Sequence, residues 1–590
     1  MTEERGPAPD RRLREVEAVI VGMGWAGAIM AAELTRAGIS VVGLERGPTR
    51  DPESDEYTRK HDELRFRVRH ALMQDVTRES WTFRHDLRET ALPFRYLGAF
   101  LPGTGVGGSA LHYGGTTARF APWEFEAKTQ TLSRYGAAAL PDGCTLQDWG
   151  MTFGELEPFY DRFEYMAGVA GTAGNVEGRM RPGGNPFEGS RRREYPLPPL
   201  MHGAAGMIFE NASRAVGYHP FPVPLAVLSE EYTNPEGLTR GPCAYCGDCT
   251  HYVCAVDARA DPCVTSLRLA EQTGLFELRA NSTVLRVLHD EHRATGILYQ
   301  SADGRIYEQP ATVVALTAFT FGNVRLLLLS GMGRPYDVRT GNGEIGRNYS
   351  YNVHARGSAL YGGRRLKNYV SAGAGSVAIA DLAADNFDHR DVGFVGGAWI
   401  QVSSGGGPIT GVDVPADTPQ WGRKWKQAVR RWYDRNLRVV AVGNVLPYDT
   451  NFMDLDPTYR DCYGDPLLRI TFDWGENERA LARFAEGRIR AVLTASQPNH
   501  IVTSADAGHF DTGRYQGTHN TGGVILGADP SISAVNSYLQ MWDYANVWVV
   551  GGSAFPQNGT PGPTGTICAL AYRAAARIAA LHAPGASARQ

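Results

Sequence analysis

The sequence predicts an α/β fold, α+β over the whole chain, and three observations carry that expectation. An apolar strand near the N-terminus runs straight into a glycine-rich turn and a helix. Short apolar runs alternate with Gly- and Pro-rich turns across residues 351–475, the pattern of strands and loops. The 590 residues also exceed a single compact core, so two or three lobes are expected. The net charge of -4 and isoelectric point near 6.4 argue against nucleic acid as a partner, because such proteins display a basic surface. No stretch of about 20 apolar residues occurs, so no membrane-spanning helix is expected. Residues 1–17 are charged and lack an apolar signal segment, so no export signal is expected.

The first unit is the strand Val16 to Val21, then Gly22-Met23-Gly24-Trp25-Ala26-Gly27, a helix from Ala28 to Arg36, a second strand from Ser40 to Leu44, and Glu45. This is a dinucleotide-binding, Rossmann-like unit. Gly22 permits the tight turn, Gly24 lets the backbone reach a pyrophosphate, and Gly27 allows close helix packing. Glu45 is placed to accept from a ribose hydroxyl. Its position at the start of a long chain leans toward FAD, and 69 glycines suit a backbone that approaches a cofactor at several places.

Next come Gly103 to Gly115, which by themselves read as a loop passing a ligand or as a turn-rich connection. Cys243, Cys246, Cys249 and Cys254 then fall in one loop, in a chain with eight cysteines, too few for a disulfide scaffold. Paired Cys-x-x-Cys spacings suit an iron-sulfur cluster. A structural zinc knuckle and local disulfides are the alternatives the residues leave open. Cys263, after Asp261-Pro262, reads as a packed thiol. A flavin with a thiolate-held cluster would pair a two-electron acceptor with a one-electron relay, which points to a dehydrogenase rather than an oxidase. Trp421 to Tyr433 is basic and aromatic and reads as an amphipathic helix with a solvated basic face and tryptophans packed inward. The last residues, 581–590, look frayed.

Several segments together resemble one family. Gly103-Thr104-Gly105-Val106-Gly107-Gly108-Ser109 resembles the first signature of the glucose-methanol-choline (GMC) flavoprotein oxidoreductases, and Phe321 to Gly331 the second. Ile345-Gly346-Arg347-Asn348 follows as in relatives. Thr518 to Gly523, Gly527 to Pro530 and Val549 to Pro556 resemble the C-terminal catalytic and flavin-closing region. The resemblance spans nearly the whole chain. Within the family it is strongest to flavoprotein subunits of the gluconate 2-dehydrogenase type, which share the cysteine loop and the stretch Leu101 to Gly107.

The resemblance implies an FAD domain assembled from residues 15–120, 240–350 (with the cysteine loop at 240–265) and 515–585. Residues 121–239 and 351–514 would form a substrate lobe built on an antiparallel sheet, with flexible tails at 1–14 and 581–590. Carried over residue by residue, FAD would lie against Gly22, Gly24, Trp25, Ala26, Gly27, Glu45, Arg46, Gly107, Gly108, Ser109, His112, Tyr113, Val284, Gly552, Ser553, Pro563 and Thr564. The arrangement of His112 before Tyr113 resembles relatives whose flavin is bonded to histidine through its 8α-methyl. His519 occupies the place of the catalytic histidine, whose near-neutral pKa suits a general base. The usual His or Asn partner is missing, since Gly562 precedes Pro563; Asn558 is the substitute that sequence offers, although a turn residue beside Gly559 is its plainer reading.

Relatives with this cysteine loop hold a three-iron four-sulfur cluster on three of the four cysteines. They hand electrons to a cytochrome c, and a small subunit carries the export signal for both. This chain has no Cys-x-x-Cys-His and so no c-type haem of its own. Its location is expected to be cytoplasmic, or periplasmic by co-export with such a partner. The activity expected is oxidation of a secondary hydroxyl of a sugar, sugar acid or polyol to a ketone. A sugar-modifying oxidase and a redox-neutral flavin-dependent lyase or epimerase are the rivals.

Overall fold

The computed structural model describes residues 7–49, 72–95, 98–247, 249–250, 252–373, 375–403, 412–514 and 517–585. Its first unit follows the sequence: strand Val16–Val21, helix Trp25–Arg36, strand Val41–Leu44. The helix begins before Ala28 because Gly24 already serves as its N-cap, which puts Trp25, Ala26 and Gly27 in the first turn. These strands join a parallel array in the order Phe276–Arg279, Val41–Leu44, Val16–Val21, Ile306–Leu316, Val547–Val549. Its members are drawn from distant stretches of chain.

Ile306–Leu316 serves two partners in succession. Its second half pairs in parallel with Val16–Val21, while its first half pairs antiparallel with Ala294–Gln300, which is followed by Thr283–His289. Arg11–Arg12, expected within a loose tail, instead runs parallel to Tyr307–Glu308. Backbone bonds from Asp10 and Leu13 to Ile306 and Glu308 tie it there. At the other end, helix Thr564–His582 reaches into the range expected to fray, and residues 586–590 lie outside the described residues. That helix packs against Trp25–Arg36.

The second lobe is a six-stranded antiparallel sheet in the order His500–Ala505, Val353–Leu360, Asn436–Gly443, Ala398–Ser403, Gly375–Ile379, Phe221–Pro222. The apolar run from Val392 enters the sheet only at Ala398, because Gly393 and Gly396 take positive φ and turn the chain first. Directly paired residues share a face. One face carries Ala355, Gly357 and Ala359 and packs on helix Glu476–Ala495. A Cβ on Gly357 would lie 2.4 Å from Ile489. The opposite face carries His354, Arg356 and Ser358 beside Val442, Val440 and Arg438, and it looks inward rather than toward solvent.

Helix Gly422–Trp432 presents the expected basic face, with Arg423, Lys424, Lys426, Arg430 and Arg431 exposed. Trp432 packs inward, but Trp421 is 83% exposed because it caps the helix from outside its buried stripe. Among the described residues no helix is long and apolar enough to cross a membrane.

Candidate active site

A cavity of about 760 Å³ lies between the carboxyl ends of the parallel strands and the polar face of the antiparallel sheet. This is where open α/β sheets place their ligands. Of the residues expected to contact the cofactor, Gly22, Gly24, Trp25, Ala26, Glu45, Arg46, Gly107, Gly108, Ser109, His112, Tyr113, Val284, Gly552, Pro563 and Thr564 line it. Gly27 and Ser553 sit one layer behind the wall. A Cβ on Gly27 would lie 2.0 Å from the Gly22 carbonyl, and Ser553 Oγ accepts from Asn323 at 3.0 Å.

The end of the cavity at Gly24 has the chemistry of an anion cradle. Gly24 caps helix Trp25–Arg36 with no side-chain bond, leaving the first-turn N–H groups for a ligand at the positive end of the helix. Across the gap Gly108, at φ 55°, would bring a Cβ within 3.4 Å of Gly24 Cα, so both walls are bare backbone. Glu45 is buried and accepts the Met23 and Gly47 N–H groups, each at 3.0 Å, which holds the turn in shape. Arg46 is steadied by Glu79 and Gln74.

At the other end His519 stands on the wall, half-buried. Its Nδ1 is 2.8 Å from Asn352 Oδ1. Asn352 donates its own amide to the Gly443 and Gly559 carbonyls at 2.7 and 3.2 Å, so its oxygen is the atom left for the imidazole. Nδ1 therefore carries the hydrogen and Nε2 the lone pair. Burial drives the His519 pKa down to about 4. The sequence suggested an imidazole titrating near neutral pH; the structure gives one that is neutral throughout that range and ready to accept.

Gly562 faces this ring: a Cβ there would lie 3.4 Å from His519 Cε1 and 3.6 Å from Nε2. Its φ of 148° lies where L side chains rarely go, so the usual Asn or His does not drop into this backbone without strain. Asn558 does not take over that place. It is wholly buried off the cavity wall, its amide donates to the His519 carbonyl at 2.7 Å, and its own carbonyl accepts from Val445. It positions the backbone of His519. Below it Glu124, without exposure, accepts from the Thr560 N–H at 3.0 Å and from Asn444, and burial lifts its pKa to about 7. Neither Asn352 nor Glu124 sits in a recognisable motif, since one lies between the strands Ser350–Tyr351 and Val353–Leu360 and the other in a short helix far upstream.

The cysteines form the third group. Among the described residues no disulfide joins any of the eight cysteines, against the disulfide alternative. Burial is the main cause that pushes Cys243 up to about 11, with the neighbouring Cys249, Cys246 and Cys254 adding to it, so the four lie within electrostatic reach of one another. Three sulfurs already accept backbone N–H groups: Cys243 from Tyr245 and Cys249 from Gly373 at 3.3 Å, Cys254 from Arg259 at 3.5 Å. Among the described residues no three His, Cys, Asp or Glu side chains meet in a geometry that would hold a metal ion. Cys263 stands apart, its thiol toward the Val106 carbonyl. The unexposed Arg259 clamps this loop to the cavity wall: its guanidinium donates to the carbonyls of Cys249 and Tyr252 on one side and of Leu111 and Tyr113 on the other. Leu111 and Tyr113 bracket His112.

Residues 447–571 match the family model described as GMC oxidoreductase. The chain is 45% identical over 577 residues to the gluconate 2-dehydrogenase flavoprotein of Pantoea cypripedii, covering 96% of this chain and 94% of the other. It is 27% identical to the 2-methyl-1,2-propanediol dehydrogenase of Mycolicibacterium austroafricanum, covering 95% and 94%. Among solved structures, pyridoxine 4-oxidase from Mesorbium loti superposes with a TM-score of 0.57 over 95% of this chain and 99% of that one, at 15% identity, which is a likeness of fold.

Proposed function

The chain belongs to the GMC oxidoreductase family, enzymes that oxidise alcohols with FAD, and from that premise we propose a dehydrogenase that converts a secondary hydroxyl of a sugar, sugar acid or polyol to a ketone. The observation that carries the reading is His519, neutral, locked by Asn352 through Nδ1, with its Nε2 side toward Gly562. In this reading Nε2 takes the hydroxyl proton while the carbon beneath it gives up a hydride. Bound FAD would supply the acceptor for that hydride. Gly22, Gly24 and the uncapped helix end would hold its pyrophosphate, Glu45 its ribose, and the 107–113 loop its ring. His112 is the residue for any 8α link, since it stands on the cavity wall and is almost fully buried.

We place the FAD-binding domain at residues 15–120, 240–350 and 515–585, ranges that contain every strand of the parallel array, and the substrate lobe at 121–239 and 351–514. Cys243, Cys246, Cys249 and Cys254 would hold an iron-sulfur cluster once drawn together, a reading supported by their spacing in one loop and by the three N–H···S bonds, which favour thiolate. Such a cluster would pass electrons singly to an external acceptor, a cytochrome or a small molecule. The Arg259 clamp supports a relay beside the flavin ring rather than a distant zinc knuckle. The reading is tested by mixing the FAD-loaded enzyme with polyols and sugar acids without oxygen: bleaching of the flavin band is expected, and turnover without bleaching would favour the redox-neutral alternative.

A further inference from the structure

The mechanism leaves unused one buried carboxyl close to His519. Glu124, in the short helix Pro122–Phe125, is without exposure and lies against the 557–562 loop. Its carboxyl takes the Thr560 N–H at 3.0 Å, the Thr560 hydroxyl at 3.2 Å and the Asn444 amide at 3.2 Å, while its backbone carbonyl takes the Gln557 amide at 2.7 Å. Gly559 is pressed onto it: a Cβ there would lie 2.5 Å from Glu124 Oε2 and 2.7 Å from Phe120. The same loop meets the active site at three points. Asn558 donates to the His519 carbonyl, the Gly559 carbonyl accepts from Asn352, and Pro561 and Gly562 line the cavity, Gly562 facing the imidazole. Whatever holds Thr560 therefore sets this wall.

Glu124 has donors around it and no cation. Burial raises its pKa to about 7 and only the Thr560 and Asn444 bonds oppose the rise, with no charged side chain contributing among the described residues. Arg119, on the same stretch of chain, is paired with Glu157 and Glu164. Tyr160, facing Glu124 from helix Phe153–Ala167, is held neutral by burial, its hydroxyl 2.6 Å from Thr566. The loop and Asn444 bring no titratable group, and His519 on the loop's other side is neutral. Asn444 can only donate, since its oxygen accepts the Gly397 N–H at 2.9 Å. The Thr560 hydroxyl can turn to accept, so a proton on Glu124 has a place to go. A carboxylate kept from water without a cation is costly, and lifting the loop to hydrate it relieves that cost.

We propose that Glu124 is a positioning residue: in its neutral form it seats the 557–562 loop, and its ionisation unseats the loop and with it the Pro561–Gly562 wall that substrate meets beside His519. This rests on the dehydrogenase reading above and adds a control on how its substrate is held.

Amide hydrogen exchange of the FAD-loaded enzyme, corrected for intrinsic rates, tests this from about pH 5 to about 8 in the wild type and Glu124→Gln. A loop that opens to water returns Glu124 to the usual 4.5, against about 7 when seated. Seating is therefore complete below 4.5 and is lost as pH rises through 7. Protection of the 557–562 segment should fall about 10-fold per pH unit across that interval and level off above it, while helix Trp25–Arg36 keeps its protection. In Glu124→Gln, which cannot ionise, both segments should stay level. With D-gluconate as reductant, KM should rise by about 10-fold over the same interval while the limiting rate of flavin reduction holds, because His519 titrates near 4. Protection that ignores pH in the wild type, or that falls alike in Glu124→Gln, would overturn the seat, and the wild-type titration alone decides this should the variant not fold. A level KM beside falling protection would overturn the link to substrate. If protection responds but neither gluconate nor any other alcohol bleaches the flavin, the dehydrogenase reading fails while the seat stands.

Discussion

At the scale of single residues the account turns on one imidazole and the amide that holds it. Because burial puts the His519 pKa near 4, the rate of flavin reduction should stay level as pH falls through 6.5, the ordinary histidine value, and drop only as it approaches about 4, where the ring takes a proton and can no longer accept one. The same depression makes the unfolded chain bind more protons than the folded one between those values. Stability contributed by the neutral ring is therefore full above 6.5 and declines as pH falls toward 4. Asn352→Asp places a carboxylate against Nδ1, which favours imidazolium, so the acid limb of the pH–rate profile should move upward. An unmoved limb would show that the contact does not exist in the working enzyme. Asn352→Leu should cost about 10- to 100-fold in rate through lost orientation. His112 makes a separate prediction: acid-precipitated protein should keep yellow colour in the pellet if the ring is attached there, and complete release of FAD to the supernatant would exclude the bond.

At the scale of elements, legibility followed how local the physics was. The strand, turn and helix at Val16 to Arg36 were readable because each residue's role there is fulfilled by its neighbours. The strand in the run from Val392 was misplaced because two glycines with positive φ postponed it, a feature that composition shows only as glycine. Asn352 and Glu124 were not readable at all. Their roles depend on partners far away in sequence, brought close only by the antiparallel sheet and the 557–562 loop. The cysteine loop falls between: its spacing suggested a cluster, while Arg259, which fastens it to the cavity wall, gave no signal. Protein purified without oxygen should carry iron and labile sulfide, and Cys246→Ser should leave flavin reduction by substrate near normal while slowing electron delivery to an external acceptor. Zinc without iron would reject the cluster.

At the scale of the whole molecule the two sheets act as one device. The parallel array presents bare backbone and a helix end to the cavity, and the antiparallel sheet turns its polar face toward the same cavity instead of toward water. Between them an aromatic seam joins chain segments distant in sequence: Trp81 and Phe100 pack on Phe321, and Tyr351 on Phe510, with ring centroids 5.1 to 5.3 Å apart. Tyr351 also accepts the Gly517 N–H at 3.1 Å, which ties the seam to the loop bearing His519. The central claim is that this architecture exists to put Nε2 of His519 where a hydroxyl proton must leave as hydride departs. The measurement that bears on it most directly is the single-turnover rate of flavin reduction in His519→Ala, with FAD content determined on the same sample. A fall of about 10²- to 10⁴-fold at normal FAD content is the predicted result, and an unchanged rate would contradict it.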